Sequence, residues 1–169
     1  MKKIAIFLIV ALLLCGCAGK GASAPATVEM DLETLVDKIY ENHHEMELPI
    51  MNMPLDLEAE GATQYNLGLA TADGVKEALI SETMIGAQPY SLVLVRVEDA
   101  ANAGKLAGEM KNGIDTRKWV CVEADDMQVV YYGDVVMLFM VGSDYADQAT
   151  SQEMVDAFAA AVGGTVTAA

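Results

Sequence analysis

The sequence predicts an α+β domain with the order helix, hairpin, helix, hairpin, helix, in which an antiparallel four-stranded sheet has helices packed on one face. Two observations predict this fold class. Apolar runs occur in two pairs, each interrupted by a short turn-forming stretch, which is typical of β-hairpins. Three amphipathic stretches carry residues that begin or end helices. At 169 residues the chain is long enough for one compact domain and hardly for two.

The amino terminus has the order of a secretory signal peptide. Two lysines precede an unbroken apolar run over residues 4–14, and small residues follow it. The run is too short to cross a bilayer, which requires about 20 helical residues. Cys17 follows the small residue Gly16, and this stretch resembles the bacterial lipobox, in which such a cysteine carries a diacylglyceryl group. We therefore predict a signal peptide over residues 1–16 and lipidation of Cys17.

Lipidation predicts a location at the outer face of the cell membrane, with the diacylglyceryl group in the lipid bilayer. Cys15 is a less suitable acceptor because the bulky Leu14 precedes it. Two acyl chains give stable anchoring, whereas a single chain binds reversibly. The alternative is a cleaved signal peptide followed by a free secreted domain. Residues 17–30 are expected to comprise the lipidated cysteine and a flexible spacer of small and polar residues.

A single globular domain is predicted over residues 31–164, followed by a tail over residues 165–169. Asp31 is a suitable N-cap, and apolar residues recur after it at helical spacing, which predicts a first helix over residues 31–44. Two prolines then predict an extended segment over residues 45–54.

The middle of the chain predicts the first hairpin and the second helix. A short helix within residues 55–65 and a loop over residues 66–74 come first. The strands are expected over residues 75–85 and 90–97, and the second strand is apolar at successive positions, which is typical of a strand covered on both faces. The second helix is expected over residues 103–112 and ends near an Asn-Gly pair.

The last part of the chain predicts the second hairpin and the third helix. Strands are expected over residues 127–132 and 135–141, with a turn at Gly133 and the aspartate that follows it. Thr150 and Glu153 have the spacing of a capping box, which predicts the start of a helix that ends at a Gly-Gly pair.

These features together resemble a known family. The lipobox, the helix sequence DLETLVDKIY, the loop MELPIMNMP, the strand pairs and the capped final helix are similar to small lipoproteins of Gram-positive-type bacteria, in domain-of-unknown-function family 4358. The resemblance covers about residues 31–162, and YNLGL at residues 65–69 departs from the tyrosine-glycine pair expected there. It implies an extracytoplasmic, membrane-attached protein, and it brings neither an activity nor functional residues.

Charge and cysteine content exclude several kinds of partner and bond. The formal net charge is −15, and it becomes more negative if the signal peptide leaves with its lysines. Such a surface repels nucleic-acid phosphates and anionic lipid headgroups, so nucleic acid is not expected as a partner. After loss of Cys15 and acylation of Cys17, only Cys121 remains, and it cannot form an internal disulfide.

A segment rich in histidine and methionine is the strongest candidate for a metal site. It contains His43, His44, Met46, Met51 and Met53. Imidazole and thioether ligands suit copper, especially Cu(I), and histidines at a helix end can converge with a Met-x-Met pair in the next segment. In the favoured interpretation no cofactor binds: the methionines fill gaps in the core, and the histidines interact with the negative end of the helix.

Cys121 is a candidate nucleophile, with His43 or His44 as the base and Arg96 or Arg117 as an electrostatic partner. Acidic residues lie close after Cys121, at positions 123, 125 and 126, and carboxylates disfavour a reactive thiolate. A buried structural cysteine is the favoured interpretation. The chain carries no recognisable motif of a hydrolase, metalloprotease or nucleotide-binding enzyme.

We therefore expect a non-catalytic lipoprotein whose domain binds an envelope protein or peptide. The alternatives are capture of copper or a small solute through residues 43–53, and a cysteine-dependent enzyme. A binding domain of this kind is expected to expose a contiguous apolar or aromatic patch. The aromatic candidates for such a patch are Tyr90, Trp119, Tyr131, Tyr132 and Tyr145, although positions in the core or on a strand face are favoured for most of them.

Overall fold

The computed structural model describes residues 26–169. The predicted signal peptide, Cys17 and residues 18–25 of the predicted spacer lie outside these residues, so they stay predictions. The helices are α1 (Leu32–Glu41), α2 (Ala62–Leu67), α3 (Ala103–Gly113) and α4 (Ser151–Val162). The strands are β1 (Ile50–Pro54), β2 (Val75–Thr83), β3 (Tyr90–Val97), β4 (Asp126–Tyr132), β5 (Val135–Val141) and β6 (Thr167–Ala168).

The strands form one sheet in the order β1-β2-β3-β5-β4-β6, and all neighbouring strands are antiparallel. The α+β class is confirmed, but the prediction of a four-stranded sheet is wrong. The two segments predicted as hairpins do pair, as β2 with β3 and β4 with β5. The edge strands β1 and β6, together with α2, lie outside the predicted order of helices and hairpins, so that order is not confirmed as a whole. Neither edge strand has a periodic apolar pattern, because β1 is largely exposed and β6 has only two residues.

Helices cover both faces of the sheet, whereas the sequence predicted helices on one face. The central strands β3 and β5 are buried at every position. Leu92, Leu94 and Phe139 pack with α1 and α4 in one core, while Val93 and Leu138 pack with α3 in the other. Because successive strand residues point to opposite faces, a strand that is apolar throughout requires cover on both sides.

The ends of α1 and α4 follow local capping chemistry. The Asp31 carboxylate accepts a hydrogen bond from the backbone N–H of Thr34 at 2.7 Å, so the predicted N-cap is confirmed. Both hydrogen bonds of the predicted capping box between Thr150 and Glu153 are present at the start of α4. The predicted end of α1 at residue 44 is wrong, because Asn42 is its C-cap and donates a side-chain hydrogen bond to a carbonyl of the last turn.

Both ends of the described chain pack against the sheet. Val28, within the predicted spacer, is buried in the core beneath α1, so the packed domain begins before residue 31. Its backbone groups bond to the Arg96 and Asp134 side chains. At the other end, β6 lies in the segment predicted as a tail, where Thr167 pairs with Tyr131.

Candidate functional site

Two histidines and a glutamate meet where the end of α1 lies beside the start of α4. His43 and His44 follow the C-cap of α1, and Glu153 lies in the first turn of α4. One possible ligand atom from each of the three side chains lies within 4.8 Å of the other two. We call these residues, His43, His44 and Glu153, the His-His-Glu cluster.

The His43 ring is held in one orientation. Its side chain is only 2% exposed, and its Nδ1 lies 2.9 Å from the backbone carbonyl oxygen of His44. A carbonyl oxygen can only accept a hydrogen bond, so Nδ1 carries the proton and donates it. The other ring nitrogen, Nε2, is buried without a hydrogen-bond partner and lies 3.9 Å from Oε2 of Glu153.

His44 completes one side of the cluster and is exposed. Its ring stacks on that of His43, with 4.1 Å between the centroids and a tilt of 32°. It also lines a surface cleft with Tyr40, Met46 and Asn52.

The capping box holds the Glu153 carboxylate in position. Its Oε2 accepts hydrogen bonds from the Thr150 hydroxyl at 2.8 Å and from the Thr150 backbone N–H at 2.9 Å. These bonds are the main cause of a lowered pKa for Glu153, and the two nearby histidines lower that pKa further. The carboxylate is therefore fixed in its charged form beside the unpartnered nitrogen of His43.

The structure separates the predicted methionine ligands from the histidines. Ile50 packs with the α1 and α4 core, and the side-chain Oδ1 of Asn52 accepts a hydrogen bond from the Ser81 hydroxyl, which also bonds to the Tyr40 hydroxyl of α1. Met51 and Met53 alternate with these residues along β1, so they point to the opposite face of the sheet.

Met46 is the predicted methionine that stays near the histidines. It packs against the core beneath α1, and it lines the same cleft as His44. The predicted set of two imidazoles and three thioethers is therefore not assembled at one place. The arrangement present instead offers two imidazole nitrogens and a carboxylate oxygen.

Glu153 was not identified from the sequence as a possible ligand. Its spacing from Thr150 identified it as a capping residue, and that role is confirmed. Its proximity to His43 depends on the packing of α1 against α4, which are more than a hundred residues apart in the chain.

Cys121 is exposed, so the prediction of a buried structural cysteine is wrong. Its backbone φ is 62°, a left-handed conformation in a surface loop. The two clefts that it lines, within the described part of the chain, contain no histidine. Arg96 is paired with Asp134 in the core. Arg117 lines one cleft together with Cys121, and its Nε lies 3.6 Å from a carboxylate oxygen of Glu123.

Large apolar side chains are exposed near the turn between β2 and β3. Val120 is 69% exposed and Met84 is 60% exposed. The backbone N–H of Met84 donates to the Pro49 carbonyl at the start of β1, and that of Val120 donates to the Gly86 carbonyl at 2.9 Å. These bonds bring three chain segments together. We call the exposed residues Met51, Met84, Ile85 and Val120 the apolar patch.

A buried lysine holds the loop that contributes Val120. The Lys118 side chain is 1% exposed, forms an ion pair with Glu82 of β2, and lies over the rings of Tyr65 and Trp119 at 5.1 and 5.3 Å. Burial lowers the pKa of Lys118, and the Glu82 carboxylate partly opposes this shift.

The aromatic residues predicted for an exposed patch do not form it. Tyr90 is fully buried, and Trp119, Tyr131, Tyr132 and Tyr145 are half-buried.

Comparison with known proteins identifies no relative: no family model, curated protein or solved structure matches the chain. The resemblance to the lipoprotein family of unknown function therefore stays a prediction. Across residues 26–169, the helices are all too short or too polar to span a membrane.

Proposed function

We propose that the chain is a lipoprotein, held at the outer face of the cell membrane by a diacylglyceryl group on Cys17. Its domain is a non-catalytic module that binds an envelope protein or peptide through the apolar patch. The patch is the observation that carries this proposal, because soluble domains seldom cluster large apolar side chains at the surface without a partner.

The position of the domain start agrees with a short tether. The segment from Cys17 to Ala26 can span at most about 30 Å when fully extended. The acidic surface is repelled by anionic headgroups, so attachment depends on the acyl chains. A partner of this domain therefore lies in the envelope, within a few tens of Å of the bilayer.

The loop that carries Val120 is held in place, which favours a specific partner. Val120 is tied to Gly86, and the neighbouring Lys118 is tied to Glu82 beneath the surface. A surface that is already ordered loses little conformational entropy on binding. We therefore assign the patch to binding.

Metabolic labelling with an alkyne-bearing fatty acid tests the anchor. We expect label on the wild-type chain and on Cys15→Ala, and none on Cys17→Ala. Label that persists in Cys17→Ala would show that the anchor is wrongly placed.

Site-specific photocrosslinking in the membrane-anchored full chain tests the patch. A photoreactive residue at position 120 should form adducts with a discrete protein or peptide, and the same residue at position 105, exposed on α3, should not. Ile85→Glu should abolish the adducts at position 120, while circular dichroism shows an unchanged fold. Equal adducts at both positions, or adducts that survive Ile85→Glu, would contradict binding through the patch.

A further inference from the structure

We infer that the His-His-Glu cluster binds a divalent transition-metal ion of the Zn²⁺ type. This inference does not depend on the proposed function, because the cluster and the apolar patch lie on different faces of the sheet. Two imidazole nitrogens and one carboxylate oxygen form a ligand set that suits Zn²⁺ and related borderline ions, whereas Cu(I) prefers sulfur.

The orientation of the His43 ring favours a metal ligand. Its Nδ1–H donates to the His44 carbonyl, which leaves Nε2 as the ring nitrogen that can present a lone pair to an ion. A hydrogen bond from one ring nitrogen to a backbone carbonyl is the usual way in which proteins orient a metal-binding histidine. The lone pair of Nε2 therefore points out of the ring with its direction already set.

The surroundings of Nε2 require a positive charge. The nitrogen is buried, has no hydrogen-bond partner, and faces the Glu153 carboxylate at 3.9 Å. Two electron-rich atoms face each other there, and an unpaired buried polar atom destabilises the fold. A cation between the two atoms would relieve the repulsion between them and would give the buried Nε2 a partner.

The distances are compatible with an ion between these ligands. Zn²⁺ lies about 2.0–2.2 Å from imidazole nitrogen and carboxylate oxygen. The 3.9 Å between Nε2 of His43 and Oε2 of Glu153 is too long for a direct hydrogen bond and somewhat wider than two ligands of a tetrahedral ion span, so a small side-chain movement brings both atoms onto one ion. His44 is exposed and can approach the ion by a change of its side-chain rotamer.

The Glu153 side of the cluster also favours a cation. The Thr150 hydrogen bonds keep the Glu153 carboxylate charged and oriented, as outer-shell contacts do in metal sites. The carbonyl end of α1 adds a partial negative charge close to both histidines. The competing occupant is a proton on Nε2, which would convert the cluster into a simple ion pair.

Calorimetric titration with Zn²⁺ tests the inference. We use the purified lipidated chain in detergent, in a Cys121→Ser background, so that the exposed thiol does not bind the ion. One Zn²⁺ per chain is expected, with weaker binding at acid pH because imidazole must be neutral to bind. His44→Ala and Glu153→Gln should each weaken binding about tenfold or more. Glu109→Gln, which removes an exposed carboxylate on α3, should leave the affinity for Zn²⁺ unchanged.

Nitrogen NMR of the imidazoles separates the metal from the proton. We expect Zn²⁺ to shift the Nε2 resonance of His43 and to leave the proton on Nδ1 in place. The inference is overturned if both ring nitrogens carry protons and Zn²⁺ does not displace one of them. It is also overturned if Zn²⁺ binds equally well to His44→Ala, Glu153→Gln and Glu109→Gln, since such binding arises from the acidic surface.

Discussion

Arg96 and Asp134 form a buried ion pair, with 2.8 Å between Nη1 and Oδ2, that ties the start of the domain to the centre of the sheet. Arg96 also donates to the Val28 and Met30 carbonyls, and Asp134 accepts from the Val28 N–H. A pull on the proposed lipid tether would therefore act first on this ion pair.

Loss of the guanidinium should destabilise the protein strongly. In Arg96→Met the Asp134 carboxylate stays buried without its cation, so we expect the free energy of unfolding to fall by about 3–5 kcal/mol. Urea denaturation at neutral pH measures this change. Lys105→Met, which removes the cation of the exposed pair with Glu109, should change stability by less than about 1 kcal/mol. A similar fall in the free energy of unfolding in both variants would show that burial of the Arg96–Asp134 pair does not cause the effect.

Gly133 should be required for packing of the amino-terminal segment. Its φ is +57°, and a Cβ at this position would lie 2.1 Å from the Ala26 carbonyl oxygen. We expect Gly133→Ala to lower stability and to accelerate hydrogen exchange of the Val28 N–H. Gly74→Ala is the matched control, because Gly74 also has a positive φ, +80°, but has nothing within 4 Å. Equal exchange at Val28 in both variants would mean that strain at φ, rather than contact with Ala26, causes the effect.

The Glu153 carboxylate should contribute to acid sensitivity. Its pKa in the folded chain is lowered below the ordinary value of 4.5 by the Thr150 hydrogen bonds. The charged carboxylate therefore stabilises the native state above pH 4.5, and this contribution is lost as the pH falls through the lowered pKa. Chemical denaturation across this pH range should show that the free energy of unfolding depends less steeply on pH in Glu153→Gln than in the wild type. Thr150→Ala removes the hydroxyl bond and keeps the backbone bond, so it should have a smaller effect in the same direction. A pH dependence of stability in Thr150→Ala equal to that of the wild type would rule out the hydroxyl bond as a cause.

Thiol counting tests processing and the exposure of Cys121 together. The full sequence has 3 cysteines. A mature chain that has lost Cys15 and is acylated at Cys17 should offer one free thiol to Ellman's reagent. Because Cys121 is exposed, it should react in the native protein nearly as fast as in urea. Three reactive thiols would contradict processing, and slow native labelling would contradict the exposed position.

Local chemistry was predictable wherever neighbouring residues decide it. Asp31 and the Thr150–Glu153 pair identify helix starts because their side chains satisfy backbone N–H groups a few residues away. The apolar runs of β3 and β5 likewise predict strands, since burial on both faces leaves a continuous apolar sequence. The segment predicted to be extended over residues 45–54 contains β1, but its pairing in the sheet was not predicted, and β6 was missed. Pairing at a sheet edge imposes little pattern on the side chains.

The candidate site was predictable only in part. The adjacent histidines indicated a metal site, because imidazole is a common ligand in any fold. Their partner was wrongly sought among Met51 and Met53, which are nearby in sequence but point to the other face of the sheet. The alternation of side chains along β1 decides this separation, and it follows from the pairing of β1 with β2.

Composition and local pattern alone predict the α+β class, the main strands and two helix starts. They also predict a lipid-anchored chain. These depend on side chains that act on their immediate neighbours. Contacts between distant segments decided the rest: six strands, helices on both faces, the apolar patch, and Glu153 beside His43. Such contacts arise when separate apolar faces are buried together, and no short stretch of sequence contains both partners.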